Sequence, residues 1–328
     1  MDRYIDEAVM METAKKLSNW GKWGPDDQLG TLNYVTPEDV AAAAKLVERG
    51  KVFSLGMDFN SDGPQTGAWG RVNPIHLMFH TGTDAVGGAD DRYGSGIYSA
   101  DDYIIMPTQC ATHWDALGHM FSKNYETGKI SMWNGYDPAL VDSIRGLTVC
   151  GIQNTRDKIV GRGVLLDIAR FKKVPYMEPG QGISTEDLIQ CAKAQNVEVK
   201  KGDFLLIRTG DLGRRLNEKN WGTYNAGDAP GLEFETIYWL HEKQIAALAA
   251  DCWGVEVRPN RIKESFHCFQ PWHQICIPIV GMIHGENFIL DALADDCAED
   301  GRYEFFFMAP PINITNAGGS PLNPQAIK

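Results

Sequence analysis

Two histidines and an aspartate lie close together in the middle of the chain, in the stretch Gln109-Cys-Ala-Thr-His-Trp-Asp-Ala-Leu-Gly-His-Met-Phe121. Side chains alternate between the two faces of an extended segment, so His113 and Asp115 point the same way. Gln109 and His119 also carry odd numbers, so a mostly extended path places all four side chains on one face. Imidazole and carboxylate groups that converge in this way are ligands of divalent metal ions. The alternative is a half-buried strand whose polar residues face solvent.

The neighbours of these residues favour the metal site over an exposed strand. The stretch also contains Ala111, Ala116, Leu117 and Gly118, and no lysine or arginine interrupts it. A carboxylate and two imidazoles need a partner if they are buried, and one cation would serve all three.

Further potential ligands follow much later in the sequence. The segment 251–256 carries two carboxylates directly after the apolar run 245–249. Strand ends are where α/β folds gather functional groups, although a capping or salt-bridge role for Asp251 is an equal alternative. His273 and Glu286 lie on either side of another apolar run. Each of these is more often structural when taken alone, but together with the central motif they supply enough ligands for one or two divalent ions.

The elements that must position these residues are both helices and strands. Capping signals predict a helix from Thr36 to Gly50 and a second one that opens at Ser184. A third helix is predicted over 233–242 from its apolar spacing. Short apolar runs predict buried strands over 163–167, 203–208, 245–249 and 303–308. This mixture indicates an α/β or α+β domain.

A glycine-rich segment, residues 86–99, lies just upstream of the motif and is predicted to be a loop. It is either a plain connection or a mobile cover over a site. The sequence has no internal repeat and no linker long enough to require a domain boundary.

The composition is that of an ordinary globular protein: 328 residues, 43% hydrophobic and 23% charged. A net charge of −12 leaves no basic stripe for nucleic acid, so we expect no nucleic-acid partner. The start of the sequence lacks the features of a signal peptide, and no apolar stretch approaches the ~20 residues that span a bilayer, so we expect no membrane partner. Seven cysteines without a CxxC pair are typical of reduced thiols, so we expect a cytoplasmic location.

The central motif resembles the pattern H-x-G-T-H-x-D-x-x-x-H of the cyclase superfamily of metal-dependent hydrolases, which includes bacterial kynurenine formamidase and isatin hydrolase. The strand Gly161-Arg-Gly-Val-Leu-Leu-Asp167 and a late histidine with a glutamate thirteen positions on are also similar to that family. The resemblance covers most of the chain, roughly residues 30–313. It implies an α/β protein with the family's swivelling β/β/α fold, a mixed, barrel-like sheet with surrounding helices. We place this domain at 36–328, after an N-terminal extension over 1–35.

The resemblance also implies a function. The family hydrolyses amides, formamides or cyclic amides at a Zn²⁺ or Mn²⁺ centre, so we expect a metal-dependent amidohydrolase with one divalent ion, or two. The substrate is a small molecule, and we expect a homo-oligomer, a dimer or a tetramer. Carried over by matching position, the metal ligands are His113, Asp115, Gln109 and His273, and the catalytic residues are His119 and Glu286.

One departure from the family pattern bears on the metal. Gln109 stands where the family has its first histidine, and Ala111 replaces its glycine. An amide oxygen binds a divalent ion more weakly than imidazole does, so we expect a single ion, with Gln109 as a ligand or as a hydrogen-bonding neighbour. Tryptophans near the ligands suit an aromatic or heterocyclic substrate, with core packing as the alternative. The candidates for substrate contact are Trp114, Trp272 and Trp69.

Other functions compete with this interpretation. A cysteine-dependent amidase would use Cys110 as nucleophile and His113 as base, but alternation points Cys110 to the opposite face and nothing nearby lowers its pKa. A non-catalytic metal-binding homologue is a second alternative. A lactonase or a dehydratase/cyclase on the same metal site is the third.

Overall fold

The computed structural model describes residues 4–94 and 96–328. Its α-helices are α1 (Glu7–Leu17), α2 (Pro37–Ala44), α3 (Gly82–Val86), α4 (Ile168–Phe171), α5 (Thr185–Ala194), α6 (Asp211–Glu218), α7 (Thr236–Lys243), α8 (Pro271–Ile275) and α9 (Asp291–Asp300). A π-helical turn, Cys276–Val280, continues α8. The 3₁₀ helices are Gly30–Tyr34, Ala68–Gly70, Ala89–Tyr93, Trp133–Gly135, Pro138–Leu140 and Ile152–Thr155.

The strands range from two to eight residues in length. They are β1 (Val52–Ser54), β2 (Ile75–His80), β3 (Asp101–Ile105), β4 (His113–Asp115), β5 (Ser122–Lys123), β6 (Ile130–Ser131), β7 (Val141–Asp142), β8 (Gly146–Leu147), β9 (Val160–Asp167), β10 (Gly182–Ile183), β11 (Phe204–Arg208), β12 (Gly231–Leu232), β13 (Ala247–Ala250), β14 (His284–Glu286), β15 (Glu304–Met308), β16 (Gly319–Pro321) and β17 (Gln325–Ile327).

One large curled mixed sheet organises the molecule, in the strand order β1-β17-β15-β9-β11-β13-β14-β4-β16. Its central strands β9, β11, β13 and β14 are parallel. The strands at both ends pair antiparallel with their neighbours. The expected α/β architecture, a mixed sheet with surrounding helices, is confirmed. Its parallel centre leads to β14, and β14 in turn pairs with β4, which carries the central motif.

The predicted strands are confirmed as β9, β11, β13 and β15, and their apolar runs have a simple cause. Both faces of the central sheet are covered, so side chains on both faces must be apolar. In β9, Val164 and Leu166 pack into one hydrophobic core, and Leu165 between them packs into the other.

The first predicted helix has the expected start but not the expected end. Helix α2 begins as expected, because Thr36 and Asp39 cap each other: each side chain accepts a hydrogen bond from the other's backbone NH. The expected end at Gly50 is wrong. Helix α2 ends at Ala44, and the turn that follows has tighter bonds such as Leu46 N to the carbonyl of Ala43.

The two later helices differ in how well their predicted starts hold. Helix α5 begins after a Ser184 cap with a reciprocal Asp187 bond, as predicted. Helix α7 begins at Thr236 rather than at residue 233, because the NH of Thr236 bonds the carbonyl of Glu233 in a separate turn.

The segment before residue 36 packs into the same cores as the rest of the chain. Val9 and Leu17 of α1 lie in the core that contains Val164, and Leu32 lies in the other one. The boundary at residue 36 stays a prediction. Within residues 4–94 and 96–328, no helix is long and apolar enough to cross a membrane.

The segment 86–99, predicted to be a loop, contains helical residues. Residue 95 lies outside the described residues. The segment holds the end of α3 and the 3₁₀ helix Ala89–Tyr93, and it links the two strands of a separate hairpin, β2 and β3. The sequence analysis missed this hairpin.

Candidate metal centre

The site is built on two neighbouring antiparallel strands. In the register of β4 and β14, Glu286 lies opposite His113, which places His284 opposite Asp115. Since alternate residues share a face, these four side chains lie on one face of the sheet. Gly285 is required on the other face, because a Cβ atom there would lie only 2.9 Å from the ring of Trp114.

Asp115 lies at the centre of three imidazoles. Its Oδ1 is 3.5 Å from Nε2 of His113 and 3.5 Å from Nε2 of His119, and its Oδ2 is 3.5 Å from Nε2 of His284. The prediction that His113 and Asp115 share a face therefore agrees with the structure. The extended path expected beyond Asp115 does not: the chain turns, with the NH of His119 bonded to the carbonyl of Ala116, and this turn brings His119 back to Asp115.

Helix α8 contributes the next ligand candidate, His273. Its Nδ1 donates to Glu256 Oε1 at 2.5 Å, and its Nε2 lies 3.4 Å from Glu286 Oε1. Glu256 is fully buried and also accepts from the backbone NH groups of Trp272 and His273. The carboxylate therefore holds the imidazole with Nε2 towards the cluster.

His113 is oriented by the same principle. Its Nδ1 donates to the carbonyl oxygen of Ala111 at 2.7 Å, which leaves the lone pair of Nε2 facing Asp115. An outer acceptor that fixes one ring nitrogen and frees the other is the usual surrounding of a metal-binding histidine.

Several buried polar atoms of the cluster lack a hydrogen-bond partner among the described residues. They are Nε2 of His113, Oδ1 of Asp115, both ring nitrogens of His284, and Oε2 of Glu286. Ligand atoms from Asp115, His273, His284 and Glu286 all lie within 4.8 Å of one another. Unpaired buried donors and acceptors are costly, and a divalent cation would satisfy them together, so these residues fit a metal ion.

The electrostatics of the cluster agree with that fit. Burial raises the pKa of Glu286, but His273 and His113 lower it by more than burial raises it. The resulting pKa is about 2. Burial also raises the pKa of Asp115, and the three imidazoles around it bring it well below its ordinary value. Burial, together with the nearby His273, lowers the pKa of His284 to about 3. The site thus offers two carboxylates and the neutral imidazole of His284. Burial lowers the pKa of His273, but its contacts with Glu256 and Glu286 raise it to about 9, so a metal ion bound there would displace a proton.

Gln109 contacts His119. Its side-chain oxygen accepts from Thr108 Oγ1 at 2.8 Å, and its amide nitrogen lies 3.5 Å from His119 Nδ1. Gly319 makes room for this arrangement, because a Cβ atom there would lie 2.6 Å from the amide nitrogen of Gln109. These contacts are those of a hydrogen-bonding neighbour of His119, and the role of Gln109 at the metal stays a prediction.

Comparison with known proteins identifies the family. The family model Cyclase, described as "Putative cyclase", matches residues 53–257. A solved structure of a novel cyclase is 40% identical, with a TM-score of 0.82, and covers 95% of this chain and 100% of that chain. The chain belongs to the cyclase family. The resemblance seen in the sequence is confirmed.

More distant structures share the fold of this cyclase. An isatin hydrolase bound to the product analogue thioisatinate is 16% identical, with a TM-score of 0.58, covering 89% of this chain and 98% of that one. A predicted metal-dependent hydrolase from Bacillus stearothermophilus is 17% identical, with a TM-score of 0.52, covering 85% and 98%. No curated protein matches the chain in sequence.

The tryptophans of this cyclase occupy different surroundings. Trp114 and Trp272 are completely buried; their indole NH groups donate to the carbonyl of Ala309 and to Thr236 Oγ1. Both side chains therefore contribute to packing, the alternative that the sequence left open, and a substrate contact at these two positions stays a prediction. Trp69 is exposed.

Two other candidates have structural surroundings. Asp251 accepts from the NH groups of Thr209 and Gly210 at 2.6 and 2.7 Å, so it caps the chain after β11 rather than joining the cluster. Cys110 is buried, and burial raises the pKa of its thiol to about 11. A protonated thiol is a poor nucleophile, which argues against the cysteine-dependent amidase.

The residue that sequence reasoning missed is His284. The signal was present: His284-x-Glu286 repeats the two-residue spacing of His113-x-Asp115, and both pairs lie beside apolar sequence. The family model ends at residue 257, so it does not reach His273, His284 or Glu286.

Proposed function

We propose that this cyclase is a metal-dependent hydrolase that cleaves a non-peptide carbon–nitrogen bond, in an amide, formamide or cyclic amide, of a small aromatic or heterocyclic molecule. Its ion is Zn²⁺ or Mn²⁺. The observation that carries the proposal is the convergence of buried, unpaired nitrogen and oxygen atoms around Asp115.

We assign the metal to Asp115, His273, His284 and Glu286, with His113 beside them. Glu286 moves from the expected catalytic role to a ligand role, because it lies within this set and its Oε2 has no partner among the described residues. When bound, a divalent ion lowers the pKa of water and polarises a carbonyl group, which is the chemistry that hydrolysis requires.

His119 then transfers the proton that the leaving group of the substrate requires. Its side chain is 24% exposed, whereas those of His113, His273 and His284 are at most 2% exposed, so His119 lies on the solvent side of the cluster. The amide of Gln109 donates towards Nδ1, which leaves the proton of the neutral imidazole on Nε2, the nitrogen that faces Asp115. As an acid–base group, the neutral imidazole would first take up the proton that the attacking water loses and would then, as imidazolium, give a proton to the leaving nitrogen of the substrate.

An aromatic row supports an aromatic substrate. The rings of Trp69 and Phe269 are 5.2 Å apart and both are exposed, while Phe269 lies 6.4 Å from the buried Trp253. Arg71 lies two residues after Trp69. Burial lowers the pKa of His119, and the positive charge of Arg71 also lowers it. Trp69 is thus the predicted substrate residue that we retain.

The proposal is tested with purified protein stripped by a chelator and then supplied with Zn²⁺ or Mn²⁺. Hydrolysis of a formanilide, an isatin-like lactam and an aromatic lactone is followed in each state. We expect turnover of a carbon–nitrogen substrate in the metal-loaded protein and its loss in the stripped protein.

Two results would overturn this proposal. Full activity in the stripped protein would remove the metal from the chemistry, and loss of activity on thiol alkylation alone would restore the cysteine mechanism. Turnover of the lactone but of neither nitrogen substrate would instead make this cyclase a lactonase.

A further inference from the structure

Arg258 is a buried arginine without a carboxylate in contact. It is only 5% exposed. Its Nε donates to the carbonyl oxygen of Gly227 and its Nη2 to that of Trp253. Nη1 is buried and has no hydrogen-bond partner among the described residues. Because an unpaired buried donor is costly, Nη1 is suited to an acceptor that a ligand brings.

Two other largely buried arginines each pair with a carboxylate. Arg162 lies 2.6 Å from Asp203, and Arg208 lies 2.9 Å from Asp167. Burial lowers the pKa of both guanidinium groups, but their carboxylate neighbours raise it above its ordinary value. In Arg258 the effect of burial prevails and the pKa falls to about 10, because carboxylates act on it only from a distance. Arg258 is therefore still charged at neutral pH, and its charge is not paired.

Arg258 lies close to the metal centre. It follows Glu256, the carboxylate that orients His273, by two residues. Burial dominates the pKa of Arg258, but the negative charges of Glu256 and Glu286 both raise it, so the guanidinium lies within electrostatic range of an assigned metal ligand. Gly254 makes room for the guanidinium, because a Cβ atom there would lie 2.8 Å from Nη1.

Arg258 also lies at the buried end of the aromatic row. Its Cζ is 3.2 Å from the ring centroid of Trp253 and 5.8 Å from that of Phe269. Phe269 and its neighbour Trp69 form the exposed end of the row. The contact with Trp253 and the two bonds to backbone carbonyls fix the plane of the guanidinium, and a planar fork held in this way is suited to a carboxylate.

We propose that Arg258 binds a carboxylate group of the aromatic substrate. The substrate class is then an aromatic acid that carries an amide, formamide or cyclic amide. A carboxylate fits better than a phosphate, because Glu256 and Glu286 repel every additional negative charge. The inference rests on the proposed function, since it names the molecules that the metal centre hydrolyses. Arg258 selects the substrate and takes no part in cleaving the bond.

Isothermal titration of the metal-loaded full chain with benzoate and with its neutral analogue benzamide tests the proposal. We expect the wild type to bind benzoate at least ~10-fold more tightly, because hydrogen bonds between charged groups are the stronger ones. Arg258→Met removes the guanidinium, and we expect it to lose this preference. Arg214→Met is the matched control. Arg214 also lies over an aromatic ring, that of Tyr176, but it pairs with Asp211, so its variant should bind benzoate like the wild type.

Circular dichroism and metal analysis identify a variant that fails to fold or loses its ion. Arg258→Lys then replaces Arg258→Met: lysine retains the charge without the planar fork, and affinity for benzoate should fall about 10-fold. Equal affinities of the wild type for benzoate and benzamide would overturn the proposal without any variant. Benzoate binding that Arg258→Met leaves unchanged, as for a carboxylate bound to the metal ion, would also overturn it. Tighter binding of phenyl phosphate than of benzoate would overturn the choice of a carboxylate.

Hydrolysis separates this inference from the proposed function. Formanilides with a carboxylate at each ring position are compared with unsubstituted formanilide. We expect kcat/KM to be at least ~10-fold higher for one of the carboxylated compounds in the wild type, and this advantage to be lost in Arg258→Met. Equal turnover of all formanilides would overturn the inference and leave the proposed function intact. Benzoate selectivity that depends on Arg258, without turnover of any formanilide, would support the carboxylate site and contradict the proposed function alone.

Discussion

His284 Nε2 lies 3.5 Å from Asp115 Oδ2, across the paired strands β14 and β4. Neither ring nitrogen of His284 has a hydrogen-bond partner among the described residues, although the side chain is completely buried. A buried imidazole without partners is costly unless an ion completes its surroundings. This contact therefore connects the central motif to the late part of the chain in one metal centre.

His284→Ala should weaken metal binding by more than roughly 100-fold, because it removes a ligand from a set with few spares. Isothermal titration with Zn²⁺ or Mn²⁺ measures the change. His267→Ala, at an exposed histidine outside the cluster, is the control and should bind like the wild type. Equal affinities for His284→Ala and the control would remove His284 from the centre.

Glu256→Gln tests whether the outer carboxylate positions His273. The amide keeps an acceptor but loses the charge that holds the imidazole at 2.5 Å. Affinity for metal should fall about 10- to 100-fold while the protein remains folded. If affinity is unchanged, His273 does not depend on Glu256 for its orientation.

His119→Ala separates proton transfer from metal binding. The variant should retain its metal, while kcat on an amide falls about 10²- to 10⁴-fold. The loss should be smaller on the matching ester, since a better leaving group needs less protonation. The comparison is made on metal-loaded protein with both substrates. Equal losses on amide and ester, or metal loss in step with the rate, would make His119 a ligand instead.

Asp296 gives a prediction for stability in acid. Burial raises the pKa of Asp296, but Lys51, Lys328 and Arg49 lower it by more than burial raises it. The resulting pKa is about 2. A carboxyl group whose folded pKa is depressed stabilises the protein above its unfolded pKa of ~3.9, and this contribution is lost as the pH falls towards 2.

Asp296→Asn should therefore cost about 1 kcal/mol of unfolding free energy at pH 7, after allowance for the partly exposed Arg49 and Lys51. Urea unfolding at pH 7, 4 and 3 should show this cost shrinking as the pH falls. Asp295→Asn is the control, since Asp295 is exposed and pairs with Arg170 on the surface. A cost that stays constant across this range would contradict the assignment.

The sequence predicted those parts of the fold and site that have a local signal. The central strands were found because burial on both faces requires unbroken apolar runs, and helix starts were found because Thr36 and Ser184 cap them locally. The two-residue spacing of His113 and Asp115 is also a local signal, and it predicted the metal site.

The remainder depended on contacts between distant parts of the chain. His284 lies beside Asp115 because β14 pairs with β4. The sequence around His284 does not predict which strand β14 pairs with. His119 returns to Asp115 through a turn rather than along a strand. The β2–β3 hairpin was missed because the pattern of β2, Ile-His-Leu-Met-Phe-His, does not alternate cleanly between polar and apolar residues.

The metal content of Asp115→Ala, compared with the wild type, tests the central claim most directly. Asp115 is the residue that three imidazoles approach, and its loss leaves the others without a shared partner. Both proteins are loaded with Zn²⁺ or Mn²⁺, freed of excess ion and analysed by mass spectrometry for metal per chain, with circular dichroism to confirm folding. We predict about one ion per chain in the wild type and almost none in the folded variant. A wild type without metal, or a variant that binds as much metal as the wild type, would contradict a metal centre at Asp115.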